Sequence, residues 1–174
     1  MKNLKNKIRS IPHFPIESVT FRDITTLMQD ANAFNEACNK FYERYKNKKI
    51  DKVIGIEARG FVFGAVLAYK LKVGFVPIRK KGKLPYETLS EKYDLEYGTA
   101  EIEIHKDAIK KGERVVIIDD LIATGGTVSA AIKLVEKLNG EVVECGFLIE
   151  LIDLKGRILL KDKEVFSMVK FEGE

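Results

Sequence analysis

Two stretches of this chain, KVIGIEARGFVFG at 52–64 and VVIIDDLIATGGT at 115–127, run an apolar segment into a glycine-bearing turn and on into a helical pattern. Such runs suit strands covered on both faces, and a strand, turn and helix used twice call for parallel strands joined by helical crossovers. The rest of the order agrees. Asp30 is placed to cap a helix whose apolar positions Phe34, Ala37, Cys38, Phe41 and Tyr45 recur at three- and four-residue steps. FVFGAVLAYKL reads as a helix beginning beside Gly60, and VGFVPI as the next strand. AEIEIH alternates as a half-exposed strand does, and EVVECGFLIEL is a further buried strand. Between them, Val128, Ala131, Ile132, Val135 and Leu138 form one helical stripe before an Asn139-Gly140 stop. The expected fold is α/β, a mostly parallel twisted sheet flanked by helices, which binds ligands at the carboxyl ends of its strands. Residues 79–97 show no periodicity and read as a loop of the kind that serves as a lid.

A chain of 174 residues fits one domain and buries roughly two-thirds of the surface its unfolded form exposes. Its net charge of +4 arises from 30 basic and 26 acidic side chains scattered along the chain, too mild a balance to demand nucleic acid. The one dense basic cluster, IRKKGK at 78–83, reads either as a solvated turn or as an anion site. Cys38 and Cys145 have no metal-ligand spacing and are expected to be buried thiols. The basic N-terminal stretch MKNLKNKIRSIP lacks the apolar run of a secretory signal, and no segment approaches membrane-spanning length. A cytoplasmic protein with no membrane partner is expected.

The stretch 115–127 carries the chemistry. In ATGGT, Gly125 and Gly126 can bring backbone N–H groups close to a ligand, and the helix that follows adds partial positive charge at its N-terminus. With the hydroxyls of Thr124 and Thr127, residues Ala123 to Thr127 suit one phosphate monoester. Asp119 and Asp120 cannot face that phosphate, because like charges repel. They suit vicinal hydroxyls a few ångströms away, as in a ribose 5-phosphate; a metal ion is the other ligand such a pair would hold. Successive strand residues point to opposite faces, so both aspartates reach one sugar only if the strand has ended by Asp119.

These thirteen residues resemble the phosphoribosyl pyrophosphate motif of the type I phosphoribosyltransferases: four apolar residues, two acids, then small and hydroxylated residues around glycine. Neither a Walker-type nor a dinucleotide-binding glycine pattern is present. FPIESVTFRDIT at 14–25, EARGFVFG at 57–64, IRKKGKLP at 78–85 and LEYGTAEIEIHKDAI at 95–109 extend the resemblance over essentially the whole chain, in the order and spacing of the adenine-specific branch. The third aspartate that 6-oxopurine enzymes usually place just before the Thr-Gly of this loop is replaced by Ala123. Ser18 and Glu57 depart from the pattern, standing where glycine and aspartate are common.

The resemblance implies one phosphoribosyltransferase domain over 1–174, with a small hood at 1–29 and a lid at 79–97. It implies transfer of the phosphoribosyl group from phosphoribosyl pyrophosphate to adenine, Mg²⁺ bound mainly through the substrate, and a homodimer. Phe21 would stack on the purine, with Arg22 and the backbone beside Thr20 at its edge. Backbone carbonyls only accept, so they suit a 6-amino group and leave a 6-oxo group without a proton to share. Arg59, joined by Lys80 and Lys83, would meet pyrophosphate, beside a cis peptide between Glu57 and Ala58. Glu96 would manage the purine proton. Two rivals keep part of this picture: a transferase for another purine base, and a regulator that binds the phosphoribosyl ligand without turnover and would normally carry an added nucleic-acid-binding segment.

Overall fold

The computed structural model describes residues 2–94, 98–160 and 162–172. Helix α1 (Lys2–Asn6), strands β1 (Arg9–Ile11) and β2 (Phe21–Asp23) and helix α2 (Thr25–Gln29) come first, with β1 and β2 paired antiparallel. Then follow α3 (Ala31–Tyr45), β3 (Lys52–Ile56), α4 (Arg59–Leu71), β4 (Gly74–Lys80), β5 (Thr88–Asp94), β6 (Thr99–His105), β7 (Arg114–Ile122), α5 (Gly126–Lys137), β8 (Glu141–Leu151) and β9 (Val165–Phe171). Two short 3-10 turns, 152–154 and 156–160, link β8 to β9. One sheet has the order β5-β6-β4-β3-β7-β8-β9; strands β4, β3, β7, β8 and β9 are parallel, and β6 runs antiparallel to β4 and β5.

Alternate residues of the central strands feed two cores. On one face Val53, Val116 and Ile118 pack with Phe41, Tyr45, Phe63 and Leu67 of α3 and α4; on the other Ile54, Ile117, Cys145 and Phe147 pack with Val128, Ala131, Leu134 and Val135 of α5. Asp30 caps α3, its carboxylate accepting from the N–H groups of Asn32 and Ala33 at 3.0 Å each. Burial pushes the Cys38 and Cys145 thiols up to about 11 and about 12, which makes them inert fillers. Among the described residues no helix is long and apolar enough to cross a membrane.

Three expectations are corrected. Residues 79–97 are not one loop: β4 extends to Lys80, and 88–94 form β5, paired with β6 along its whole length. The alternation is real but disguised, because Leu89 and Tyr93 pack on the α5 side while Glu91, on the same face, is neutralised by Lys133 and Lys137 of α5. Strand β6 is not half-exposed either, since Ile102, Glu103 and Ile104 are all buried. Lastly, β7 does not end by Asp119. It keeps its pairing with β8 through Ile122, yet both carboxylates reach the start of α4, Asp119 at Gly60 and Asp120 at Arg59. The peptide between Glu57 and Ala58 is cis, as expected.

Candidate active site

The carboxyl ends of β3 and β7 deliver the charged residues. Arg59 opens α4, whose start is pressed onto the end of β7: a Cβ at Gly60 would lie 2.7 Å from the Ile118 carbonyl and 2.9 Å from an Asp119 oxygen, so only glycine allows that approach. From there the Arg59 guanidinium forms an ion pair with the buried Asp120. Burial alone would lower the Arg59 pKa, but Asp120, with Asp119 and Asp23 further off, reverses the sign and holds the cation firmly charged. Its guanidinium carbon also sits 5.6 Å from the centre of the Phe21 ring, tying the N-terminal segment to the main sheet.

Among the described residues Asp119 forms no ion pair. Its carboxyl group is enclosed beside Gly60 and accepts the Asp120 N–H at 2.8 Å. Burial and the adjacent Asp120 charge push its pKa well above the usual carboxylate range, outweighing the N–H bond and Arg59. A raised carboxyl pKa is a penalty that is absent below the unfolded value and grows as pH rises towards the folded one. Asp119→Asn, which keeps an acceptor for the Asp120 N–H, is therefore expected to melt a few degrees higher than the parent near pH 7.5 without ligand, the size that about 1 kcal/mol produces in a chain of this length. The gap should close as pH falls towards 4. Melting curves of the ligand-free protein over that range check it; an unchanged or lowered Tm at pH 7.5 overturns the account.

Residues Ala123 to Thr127, with Asp119 and Phe147, line a small cavity of about 130 Å³ at the N-terminus of α5. Gly125 has φ +86°, and a Cβ there would lie 2.5 Å from the Gly156 carbonyl oxygen. Gly156 in turn leaves no room for a Cβ, which would sit 2.2 Å from the Ala123 carbonyl oxygen and 3.0 Å from the Gly125 nitrogen. Sequence reasoning missed this buttress, because 156 is remote in the chain and a lone glycine is a weak signal.

Next to it lies a cavity of about 420 Å³, lined by Ser18, Thr20, Phe21, Arg22, Arg59 and the apolar Leu121, Leu151 and Leu154. That volume is typical of small-ligand pockets. Leu121 and Ala123 border both cavities, which therefore adjoin. Phe21 meets Phe14 edge-on at 5.5 Å, and the Arg22 guanidinium lies 4.2 Å from the centre of the Phe171 ring while donating to Ser10 at 2.6 Å. Phe171 and Ser10 also escaped the sequence reading. A larger groove of about 900 Å³ between α3 and β9 contains none of the expected site residues.

The basic cluster after β4 divides in two. Arg79 pairs with Glu57 and Lys81 with Glu101, whereas among the described residues Lys80 and Lys83 have no carboxylate within ion-pairing distance. Glu96 lies outside the described residues. Before it, β5 ends alongside α5: a Cβ on Gly126 would lie 3.1 Å from the Asp94 carbonyl oxygen. Among the described residues no group of three or more His, Cys, Asp or Glu side chains converges on a metal position.

Known proteins give this arrangement its family. The phosphoribosyl transferase domain matches residues 23–174. An adenine phosphoribosyltransferase of Desulfosudis oleivorans is 64% identical over 172 residues, covering 99% of each chain. The crystal structure of adenine phosphoribosyltransferase from Thermoanaerobacter pseudethanolicus superposes with a TM-score of 0.95 at 52% identity, covering 98% of this chain and 99% of that one. The enzyme from Saccharomyces cerevisiae, solved with an imino-altritol bisphosphate and adenine, gives 0.91 at 41% identity over 97% of each. The chain belongs to the phosphoribosyl transferase family, with the type I fold, in its adenine phosphoribosyltransferase branch.

Proposed function

We propose that this chain transfers the 5-phosphoribosyl group of phosphoribosyl pyrophosphate to N9 of adenine, releasing AMP and pyrophosphate. The observation that carries the reading is the junction of the two cavities at Leu121 and Ala123, with Arg59 beside it. The N–H groups of Ala123 to Thr127 take the 5-phosphate, with the hydroxyls of Thr124 and Thr127 and the α5 dipole. Asp119, the carboxylate without a cation, takes ribose hydroxyls, and Asp120 does so on the side that Arg59 leaves open. Adenine lies on Phe21, its edge met by Arg22 and the backbone beside Thr20, so residues 1–29 act as a hood.

Arg59, Lys80 and Lys83 meet pyrophosphate, a poor leaving group until its charge is neutralised. Mg²⁺ bound through the substrate supplies further neutralisation of that charge. Residues 79–97 act as a lid that excludes water from the activated ribose, with Glu96 handling the purine proton. The partner is a second copy of the chain.

Incubation with Mg²⁺, phosphoribosyl pyrophosphate and each nucleobase in turn tests the reading. Adenine should be consumed fastest, and a chelator should abolish turnover. Faster reaction of hypoxanthine or guanine would overturn the choice of base, and tight binding without turnover of any base would indicate a regulator.

A further inference from the structure

We propose that Glu103 is a positioning residue for the pyrophosphate half of the reaction, holding the turn after β4 so that the ammonium groups of Lys80 and Lys83 meet the substrate. The inference rests on the reading above, in which those lysines bind pyrophosphate.

Glu103 stands in the middle of β6, opposite Arg79 of β4 and Ser90 of β5. Strand alternation in AEIEIH marks it as a solvent-facing carboxylate, yet it is only 4% exposed. A buried carboxylate without compensation is costly. Among the described residues no cation lies within ion-pairing distance of Glu103, unlike Glu57 and Glu101, which hold Arg79 and Lys81. Its compensation is backbone: one oxygen accepts the N–H groups of Lys83 at 3.0 Å and Leu84 at 2.9 Å, and the Thr88 hydroxyl lies 3.4 Å from the other. Burial pushes this carboxyl up, but donation from the turn outweighs it and holds the group below its ordinary range, so it is charged at neutral pH.

The same device occurs once more nearby. The Lys80 N–H donates to Glu57 at 3.0 Å, so each of the two lysines without an ion pair has its backbone fastened to a carboxylate. A carboxylate that fastens a lysine through the backbone leaves the ammonium available to an incoming anion, whereas a direct ion pair would consume it. The Lys83 N–H also reaches the Lys80 carbonyl at 3.2 Å, so the turn is one unit. Glu103 therefore acts on the substrate through the turn and does not touch it.

Steady-state kinetics of Glu103→Gln and the milder Glu103→Asp, with adenine and phosphoribosyl pyrophosphate varied separately, test this. Parent turnover is measured first; its absence would overturn the functional reading and the inference with it. In Glu103→Gln the KM for phosphoribosyl pyrophosphate should rise about tenfold, the usual scale for hydrogen bonds to a charged group, with the KM for adenine within about twofold. Glu103→Asp should fall between, and serves alone if the glutamine variant does not fold. In a Lys80→Ala/Lys83→Ala background the additional loss from Glu103→Gln should vanish, because its effect passes through those ammonium groups. A parent-like KM for phosphoribosyl pyrophosphate, or equal rises for both substrates tracking a loss in Tm, would overturn the inference and leave Glu103 a staple of the hairpin.

Discussion

Glu96→Gln is expected to slow single-turnover chemistry by about 10²–10⁴-fold, the range that general acid–base assistance supplies. Adenine loses a proton from N9 during synthesis, and the departing base must regain it in reverse. No acid stands at Ala123, the position where 6-oxopurine enzymes usually carry one, so the proton needs another acceptor. Glutamine keeps the size and hydrogen-bonding capacity of Glu96 and removes only its titration. Binding of adenine and of phosphoribosyl pyrophosphate should change little, since the ground-state contacts proposed above lie with Phe21, Arg22 and residues 119–127. Rapid-quench measurement with enzyme in excess separates chemistry from product release; a rate within about threefold of the parent would remove Glu96 from the mechanism.

Arg59→Ala should harm both halves of the molecule's economy, turnover and stability. If Arg59 meets pyrophosphate as proposed, removing this preorganised cation should lower kcat/KM by about 10²–10³-fold. The same change strands Asp120, whose side chain is 8% exposed, next to Asp119. Breaking a fully buried pair costs about 3–5 kcal/mol; the Arg59 side chain is 44% exposed, so water relieves part of this and about 2 kcal/mol is expected. Adding Asp120→Asn to Arg59→Ala should restore the Tm without restoring turnover. Arg59→Lys keeps the charge but loses the planar fork, and should recover only part of the activity. If Arg59→Ala retains parent kcat/KM, Arg59 has no place in the reaction; if the double variant melts no higher than Arg59→Ala, the Tm loss does not come from the stranded carboxylate.

The parts of the site legible in the sequence are those whose partners are near neighbours in the chain. In 115–127 the strand, the turn that needs Gly125 and the helix N-terminus are contiguous, so residue order alone specifies this strand-turn-helix, the geometry of the proposed anion site. The helices from Asp30 and from Arg59 were equally plain, one through its cap and periodicity, the other through its glycine turn. Strand β5 was not, because Glu91 occupies an inward position that Lys133 and Lys137 neutralise from more than forty residues away. Pattern reading assigns a carboxylate to solvent and has no means to foresee a distant ammonium.

β-branched runs and glycine-bearing turns were thus enough to determine a mostly parallel sheet and a glycine turn at the start of α5, because each depends on contiguous residues and on a backbone preference; the family was legible through the resemblance of whole motifs. Tertiary structure alone decided which charges are spoken for. Packing α4 onto β7 pairs Arg59 with Asp120 and, among the described residues, leaves Asp119 with no ion pair of its own. Folding the link after β8 back against 123–125 makes Gly156 a wall of the loop before α5. Closing β6 between β4 and β5 buries Glu103 and turns it towards the backbone of Lys83. The pKa of a carboxylate and the reach of an ammonium depend on burial and on neighbours within a few ångströms, and those neighbours are chosen by the fold.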